Sequence, residues 1–142
     1  MEEANKILAR VRQDYPKLRF VVGKKFAFRS PRTIFVVDPD GSETWGLELL
    51  HELGHARLEH RNYQTDVERL KMEREAWEEA RGLADEYGVC YNEEFVEAEL
   101  DSYREWLHQR SKCRQCGLTR YQTVDGEYHC PQCEIGVGRF GI

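Results

Sequence analysis

The sequence predicts an α+β protein with a cysteine-rich C-terminal segment, and three observations carry this prediction. Residues 18–37 are rich in β-branched and aromatic side chains, a composition typical of strands. After position 41, apolar side chains recur three and four residues apart, as they do in helices that pack on one face. Beyond Ser111, four of the five cysteines fall in two Cys-x-x-Cys pairs. A chain of 142 residues has room for one compact domain and a small appendage, so we place domains at 1–110 and 111–142.

One helix and three short strands are predicted in the first part of the chain. Apolar side chains recur at helical spacing over the first 16 residues, and Pro16 follows them. Turn sequences separate the stretches that come next, and Asp38-Pro39-Asp40-Gly41 ends the last of them. We expect these stretches to form a three-stranded antiparallel meander, with strands at about 18–22, 26–29 and 33–37.

Three helices follow, and residues typical of helix ends mark them. Ser42 is the predicted N-cap of a helix that runs to about His60. Residues 65–68, Thr-Asp-Val-Glu, form a capping box that opens a second helix, and Gly88 closes it. Asn92 is the predicted N-cap of the third helix.

The charge and hydropathy of the chain argue against two classes of protein. The formal net charge is −5 at pH 7, which argues against a general binder of nucleic acid or of membrane surfaces. The longest apolar run, residues 34–37, is far shorter than the roughly 20 residues that span a bilayer. The sequence begins Met-Glu-Glu-Ala-Asn-Lys, with neither a basic leader nor a hydrophobic segment. We therefore expect a cytoplasmic protein that does not bind membranes.

The predicted helix at 42–60 contains a metal-binding motif, His51-Glu52-Leu53-Gly54-His55. Residues four apart lie on the same face of a helix, so both imidazoles can reach a single ion. Zinc lowers the pKa of its bound water toward about 7, and the Glu52 carboxylate stands next in sequence to accept the proton. The motif therefore predicts a zinc ion at His51 and His55, with Glu52 as the general base.

A catalytic zinc ion of this kind needs a third protein ligand. The apolar stripe of the next helix begins at Val67, and Glu73 lies inside this stripe, three residues after Leu70 and four before Trp77. A carboxylate that faces a core is costly unless it is paired or bound to metal, so Glu73 is the predicted ligand. Glu75, at the edge of the stripe, remains the alternative. We interpret His60 as a helix-end residue near the C-terminal dipole, because it lies about half a turn away from His51.

The motif His51–His55, followed by Glu73-Arg74-Glu75-Ala76, resembles the ImmA/IrrE-like metallopeptidases of the zincin group. In that family the helix after the motif carries Glu-x-x-Ala-Asp/Asn, and its first Glu is the third zinc ligand. The resemblance covers about residues 1–90 and implies a zincin-like fold with Glu73 as that ligand, although Trp77 stands where the family usually has Asp or Asn. It also implies cleavage of a specific protein partner, such as a transcriptional repressor, presented as a strand on an edge of the sheet.

The C-terminal segment is predicted to be a zinc ribbon. Its two Cys-x-x-Cys pairs are separated by thirteen residues, a pattern typical of a tetrahedral four-cysteine zinc site: Cys113, Cys116, Cys130 and Cys133. Asp125-Gly126 predicts a hairpin with a type I′ turn, which brings the pairs together. This second zinc ion is expected to be structural. Its flanking charges are near neutral, so nucleic-acid binding stays open without support. Cys90 is expected to be a buried small hydrophobe.

The leading functional hypothesis is a zinc-dependent endopeptidase, and two alternatives stay open. A SprT-like protease acting on DNA-bound proteins also joins this motif to a ribbon. That family, however, uses a third histidine downstream, and here only His60, His108 and His129 are available. The other alternative is a catalytically inactive, metal-stabilised module that binds protein. For an enzyme, four tyrosines are candidates to stabilise the oxyanion: Tyr63, Tyr87, Tyr91 and Tyr103.

Overall fold

The computed structural model describes residues 2–136 as a mixed α+β protein with a four-cysteine cluster near the C-terminus. Position 1 and residues 137–142, the end of the predicted ribbon, lie outside the described residues. The chain forms two compact units, one of residues up to 61 with 72–97, the other of residues 62–71 with those from 98 onward. The division predicted between 110 and 111 concerns folding domains and stays a prediction.

The first unit begins with helix α1, Glu2–Asp14, and a sheet of three strands. The strands lie within one residue of their predicted positions: β1 Arg19–Val22, β2 Ala27–Arg29 and β3 Thr33–Val36. The strand order is β1-β3-β2. Strand β1 runs parallel to β3, whereas β2 is antiparallel to β3, so that Phe20 and Phe28 flank Ile34 from the two sides.

The predicted antiparallel meander is therefore wrong, because β3 rather than β2 is the central strand. Burial explains the order. Ile34 and Val36 of β3 are 0% and 2% exposed, whereas β2 carries the exposed Ala27 and Arg29. The most apolar strand takes the position with a neighbour on each side, and a strand with a charged residue is suited to the edge.

Helix α2, Trp45–Arg57, forms the centre of the first unit and is buried around most of its circumference. Every residue from Trp45 to His55 except Glu48 is buried. The indole Nε1 of Trp45 donates a hydrogen bond of 2.8 Å to the Val37 carbonyl, which joins the start of α2 to the end of β3. The His51–His55 motif is thus carried by the most deeply packed helix of the unit.

The predicted N-cap at Ser42 is wrong, because α2 begins three residues later, at Trp45. The backbone N–H of Ser42 instead donates to the Asp40 side chain at 2.9 Å, and the Ser42 hydroxyl accepts from the N–H of Thr44 at 3.3 Å. These short-range bonds form a turn ahead of the helix, a local structure that Ser and Asp side chains favour as readily as a cap.

Helices α3, Asp66–Tyr87, and α4, Glu93–Ser111, start where their caps predict. The hydroxyl of Thr65 accepts from the backbone N–H of Glu68 at 3.3 Å, and Oδ1 of Asn92 accepts from that of Phe95 at 3.1 Å. Gly88 closes α3 with a φ of +67°, which residues with a side chain rarely adopt. None of the helices within residues 2–136 is both long enough and apolar enough to cross a membrane.

Two sequence expectations about burial are wrong. Cys90, expected to be buried, is exposed. Val67, the first member of the apolar stripe predicted for α3, is 61% exposed. Both residues lie next to helix ends, where helical periodicity does not reveal which side chains find neighbours.

The second unit contains the predicted hairpin, with β4 Tyr121–Gln122 and β5 Tyr128–His129, followed by the short helix α5, Pro131–Gly136. Its turn is not of type I′. The N–H of Gly126 donates to the carbonyl of Thr123, and the N–H of Thr123 to that of Glu127, both at 2.9 Å. This pattern, with Gly126 at a φ of +90°, is a type I turn followed by a glycine bulge. The Asp125 side chain stabilises it by accepting from the N–H of Glu127.

Asp66 organises the interior of the second unit. It is 3% exposed, and its Oδ2 accepts hydrogen bonds from Arg110 Nε at 2.7 Å and from the Tyr128 hydroxyl at 2.5 Å. Its backbone N–H donates to Gln122 Oε1 at 2.6 Å. Burial raises the pKa of Asp66, but the bonds from Arg110 and Tyr128 outweigh this and lower it. One carboxylate thus joins the start of α3, the end of α4 and the hairpin.

Replacement of the α4 cap tests this account of the helix boundaries. Asn92→Ala is expected to lower the free energy of unfolding by about 1 kcal/mol, because the N–H of Phe95 loses its side-chain acceptor. Asn92→Asp keeps an acceptor and is the matched control. Urea denaturation of the metal-loaded protein measures both, and an equal loss in the two variants would contradict the capping role.

Candidate metal centres

Helices α2 and α3 bring two histidines and one glutamate to a single point. His51 and His55 lie one turn apart on α2, and Glu73 lies on α3. The Nε2 atoms of His51 and His55 are 2.8 and 3.2 Å from the same atom, Oε2 of Glu73. Three ligands bound tetrahedrally at about 2.0–2.1 Å from one ion lie about 3.3 Å apart. The two separations from Glu73 are thus close to those of ligands around one metal ion.

Glu52 lies beside this group. Its Oε2 is 3.1 Å from Nδ1 of His51, and one ligand atom from each of His51, Glu52 and His55 lies within 4.8 Å of the others. These three residues and Glu73 are all less than a tenth exposed. Charged groups buried to this extent are costly unless they balance one another or bind a metal ion.

The electrostatics of the group reflect this balance. Burial disfavours the charged form of His51, but hydrogen bonds to Glu52 and Glu73 outweigh it and raise the pKa of His51 to about 9. Burial likewise opposes the charge on Glu73, yet its bonds to His51 and His55 lower the pKa of that carboxyl far below its usual range. A proton on His51 balances the Glu73 carboxylate, and a cation held by these residues would replace that proton.

Gly54 permits the close approach of α2 and α3 that this site requires. A Cβ atom at Gly54 would lie 2.6 Å from the backbone carbonyl oxygen of Ala76 and 3.3 Å from Cβ of Glu79. Real Cβ atoms do not approach a carbonyl oxygen so closely, so any side chain at position 54 has to push the two helices apart. The glycine of the motif is a packing residue between two residues of the site.

Aromatic rings support both histidines. The ring of Trp77, on α3, stacks on His51 with the centroids 3.9 Å apart and the planes 2° from parallel. Phe28, on β2, lies parallel to His55 with a centroid distance of 6.4 Å. Trp77 Nε1 is buried and has no hydrogen-bond partner within residues 2–136. Trp77 therefore acts on the site through its ring face.

The structure separates the two glutamates that the sequence left as alternatives. Glu73 reaches both histidines, whereas Oε1 of Glu75 lies 3.3 Å from Nε2 of His60. Nδ1 of His60 is in turn 2.8 Å from Nδ1 of His55, on the side of that ring opposite to Glu73. Sequence reasoning missed this contact, because it depends on how the chain turns after α2.

The remaining sequence candidates have other partners. The Tyr87 hydroxyl donates to Asp14 at 2.5 Å, and that of Tyr91 donates to the Trp77 carbonyl at 3.2 Å. Tyr63 and Tyr103 belong to the second unit, where both rings contact the guanidinium of Arg69. In the same unit His129 contacts Glu134 at 2.6 Å, and His108 is exposed.

The four cysteines of the second unit form a compact cluster of free thiols. All four Sγ atoms lie within 4.8 Å of one another, with 3.8 Å between Cys113 and Cys133 and 3.5 Å between Cys116 and Cys130. Four thiolates bound tetrahedrally at about 2.3 Å from one ion lie about 3.8 Å apart. The cluster therefore fits a metal ion with four sulfur ligands.

Backbone groups favour the thiolate form of the first cysteine in this cluster. The backbone N–H groups of Cys116 and Gln115 donate to its sulfur and lower the pKa of the Cys113 thiol to about 6. The loop closes through a 2.9 Å bond from the N–H of Gly117, at a φ of +79°, to the Cys113 carbonyl.

Comparisons of the chain with protein-family models, with curated proteins and with solved structures find no match.

A pair of glycine substitutions tests the packing role of Gly54. Gly54→Ala is expected to destabilise the protein by about 1–3 kcal/mol, because the added methyl group overlaps the Ala76 carbonyl. It should also weaken metal binding at the histidines, since Glu73 moves away with α3. The matched control is Gly82→Ala on the exposed face of α3, where a Cβ meets nothing within 4 Å.

Alanine at position 82 should stabilise the protein by up to about 1 kcal/mol through helix propensity. The free energy of unfolding, from denaturation curves, and the metal content are measured for both variants. Normal metal content in a stable Gly54→Ala protein would contradict the close-packing argument.

Proposed function

We propose that this protein is a zinc-dependent endopeptidase. The observation that carries the proposal is the convergence of His51 Nε2 and His55 Nε2 on Glu73 Oε2, with Glu52 alongside. Two imidazoles and one carboxylate are the ligand set of catalytic zinc in thermolysin, and a set of three leaves the fourth position open for substrate or water. The two motifs resemble those of the ImmA/IrrE-like metallopeptidases, which implies a zincin-like fold, and this resemblance supports the same proposal.

The chemistry divides between the ion and Glu52. When bound, zinc supplies Lewis-acid activation of a water molecule and of the scissile carbonyl group. Glu52 accepts the proton of the attacking water and delivers it to the leaving amine. The contact with His51 Nδ1 at 3.1 Å holds the Glu52 carboxylate next to the ligand group. Burial of the site excludes bulk water, which strengthens each of these interactions.

Strand β2 is the proposed docking edge for the substrate. It is an edge strand of the sheet, and Phe28 in its centre lies against the ring of His55. A peptide that adds to this edge as a further strand passes beside the metal ligands, with backbone hydrogen bonds providing affinity. This mode of binding suits one specific protein partner, such as a transcriptional repressor, that presents an extended segment.

The four-cysteine cluster is proposed to hold a second zinc ion with a structural role. Four thiolates complete a tetrahedral site and leave no position for substrate. Zinc at such a site contributes to folding, because the unfolded chain does not preform it. We propose that this zinc ion stabilises the hairpin and α5.

The alternative of a SprT-like protease is less well supported. That family uses a histidine as third ligand, whereas here Glu73 contacts both Nε2 atoms and His60, the nearest histidine in sequence, contacts Nδ1 of His55. The alternative of an inactive binding module takes its support from Trp77, which replaces the Asp or Asn of the family motif.

Metal content distinguishes the two candidate glutamate ligands. The zinc content of the wild type should approach two per chain, and a thiol-specific reagent should release only one. Glu73→Gln is expected to lose the thiol-resistant zinc, because glutamine keeps the shape but not the charge that balances the ion. Glu75→Gln is the matched control and should retain both. Elemental analysis decides, and the reverse outcome would transfer the ligand role to Glu75.

Replacement of the general base separates enzyme from binding module. Glu52→Gln should leave both zinc ions bound and the melting temperature nearly unchanged, because Glu52 is not a ligand. It should reduce cleavage at least ~10²-fold, since an amide cannot accept the proton of the attacking water. The assay is co-expression with a candidate partner encoded by a neighbouring gene. A partner that both forms bind equally and neither cuts, with zinc in excess, would identify a metal-stabilised adaptor.

A further inference from the structure

We propose that His60 is a positioning residue that orients the metal-binding ring of His55, and that Glu75 orients His60 in turn. The proposal rests on the metal site proposed above. The two residues are neither ligands nor the general base, and His60 lies where α2 ends.

Helix α2 ends in a Schellman motif. Its C-cap is Leu58, and the next residue, Glu59, has a left-handed φ of +55°. The N–H of His60 donates to the carbonyl of His55 at 3.0 Å, and the N–H of Glu59 donates to that of Ala56 at 3.1 Å. These are the two reversed hydrogen bonds that define the motif.

Two residues of the motif depart from its usual chemistry. The left-handed position usually holds glycine, and here it holds Glu59. The motif usually brings two apolar side chains together, and here it brings His60 onto His55, with 2.8 Å between their Nδ1 atoms. The His60 side chain is only 10% exposed, so this polar contact is sheltered from water. The backbone turn thus places the His60 imidazole against Nδ1 of His55, the ring nitrogen that does not face Glu73.

The direction of the hydrogen bonds follows from metal binding. A His55 ring that binds metal through Nε2 carries its proton on Nδ1, so it donates to His60 Nδ1. His60 then carries its own proton on Nε2, which lies 3.3 Å from Oε1 of Glu75 and donates to that carboxylate. Each ring nitrogen in this chain is therefore either a donor or an acceptor, and the hydrogen bonds run from His55 through His60 to Glu75. A partner on the second nitrogen holds both the tautomer and the orientation of a metal-binding histidine.

The arrangement also explains why Glu75 stands two residues after Glu73 on α3. Glu73 faces the Nε2 side of His55, whereas Glu75 reaches His60 on the Nδ1 side of the same ring. One helix thereby supports both edges of His55, directly at one edge and through His60 at the other. Glu75 is 42% exposed in its side chain, so the chain of bonds ends at the surface.

The test compares two substitutions of His60 in the full-length, zinc-loaded protein. His60→Leu removes the acceptor but keeps an apolar contact with His55 that a Schellman motif accommodates. His60→Asn retains an acceptor, since its Oδ1 can occupy the place of Nδ1. The control is His108→Leu, which removes an exposed histidine on α4. The readouts are the affinity for the thiol-resistant zinc, from competition with a chelator, and the melting temperature of the metal-free protein.

We expect His60→Leu to bind the thiol-resistant zinc about 10–100-fold more weakly, with an unchanged melting temperature without metal. His60→Asn should recover most of the affinity, and His108→Leu should match the wild type. Wild-type affinity in His60→Leu, or equal losses in the Leu and Asn variants, would overturn the positioning role while leaving the proposed function intact. Failure of the wild type to bind a thiol-resistant zinc would overturn the metal site and, with it, this inference. If His60→Leu does not fold, Glu75→Leu should still weaken the site more than Glu75→Gln.

Discussion

The contact between Gly54 and the Ala76 carbonyl is the constraint on which the candidate site depends. A glutamate side chain is short, and it can meet two imidazoles of another helix only where the two backbones nearly touch. Gly54 provides this approach within the His51–His55 motif, and Ala76 provides a small partner one turn after Glu73. The positions of Gly54 in one motif and of Ala76 in the other are therefore explained by packing.

Both centres are preformed, but they obtain their electrostatic balance in different ways. At the histidine centre the polar groups balance one another across two helices, with a proton on His51 opposite Glu73. At the cysteine centre the balance is local, because backbone N–H groups of the same loop stabilise the Cys113 thiolate. A site formed by residues of two helices requires the folded core that packs those helices together. In a site formed by a loop and a hairpin, the stabilising groups come from the same local segment.

This difference also explains how much of the molecule could be predicted from sequence. Caps such as Thr65 and Asn92, the Cys-x-x-Cys pairs and the orientation of Glu73 all follow from local spacing, and the structure contains each of them. The central position of β3 could not be predicted, since strand order depends on the relative burial of whole strands. The contact of His60 with His55 was missed for a related reason. Glycine is the usual sequence signal of a left-handed residue at the end of a helix, and here that residue is Glu59. Local chemistry is visible in a sequence, but the choice among tertiary neighbours is made by packing.

The stacking of Trp77 on His51 has an optical consequence. An indole ring 3.9 Å from an imidazole experiences directly whether that imidazole is neutral, protonated or bound to a cation, because the face of the ring carries negative potential. Indole emission is sensitive to a charge at this distance, and Trp77 is one of three tryptophans in the chain. Trp77 is thus a built-in fluorophore at the candidate metal centre, and its emission would report metal binding without any added label.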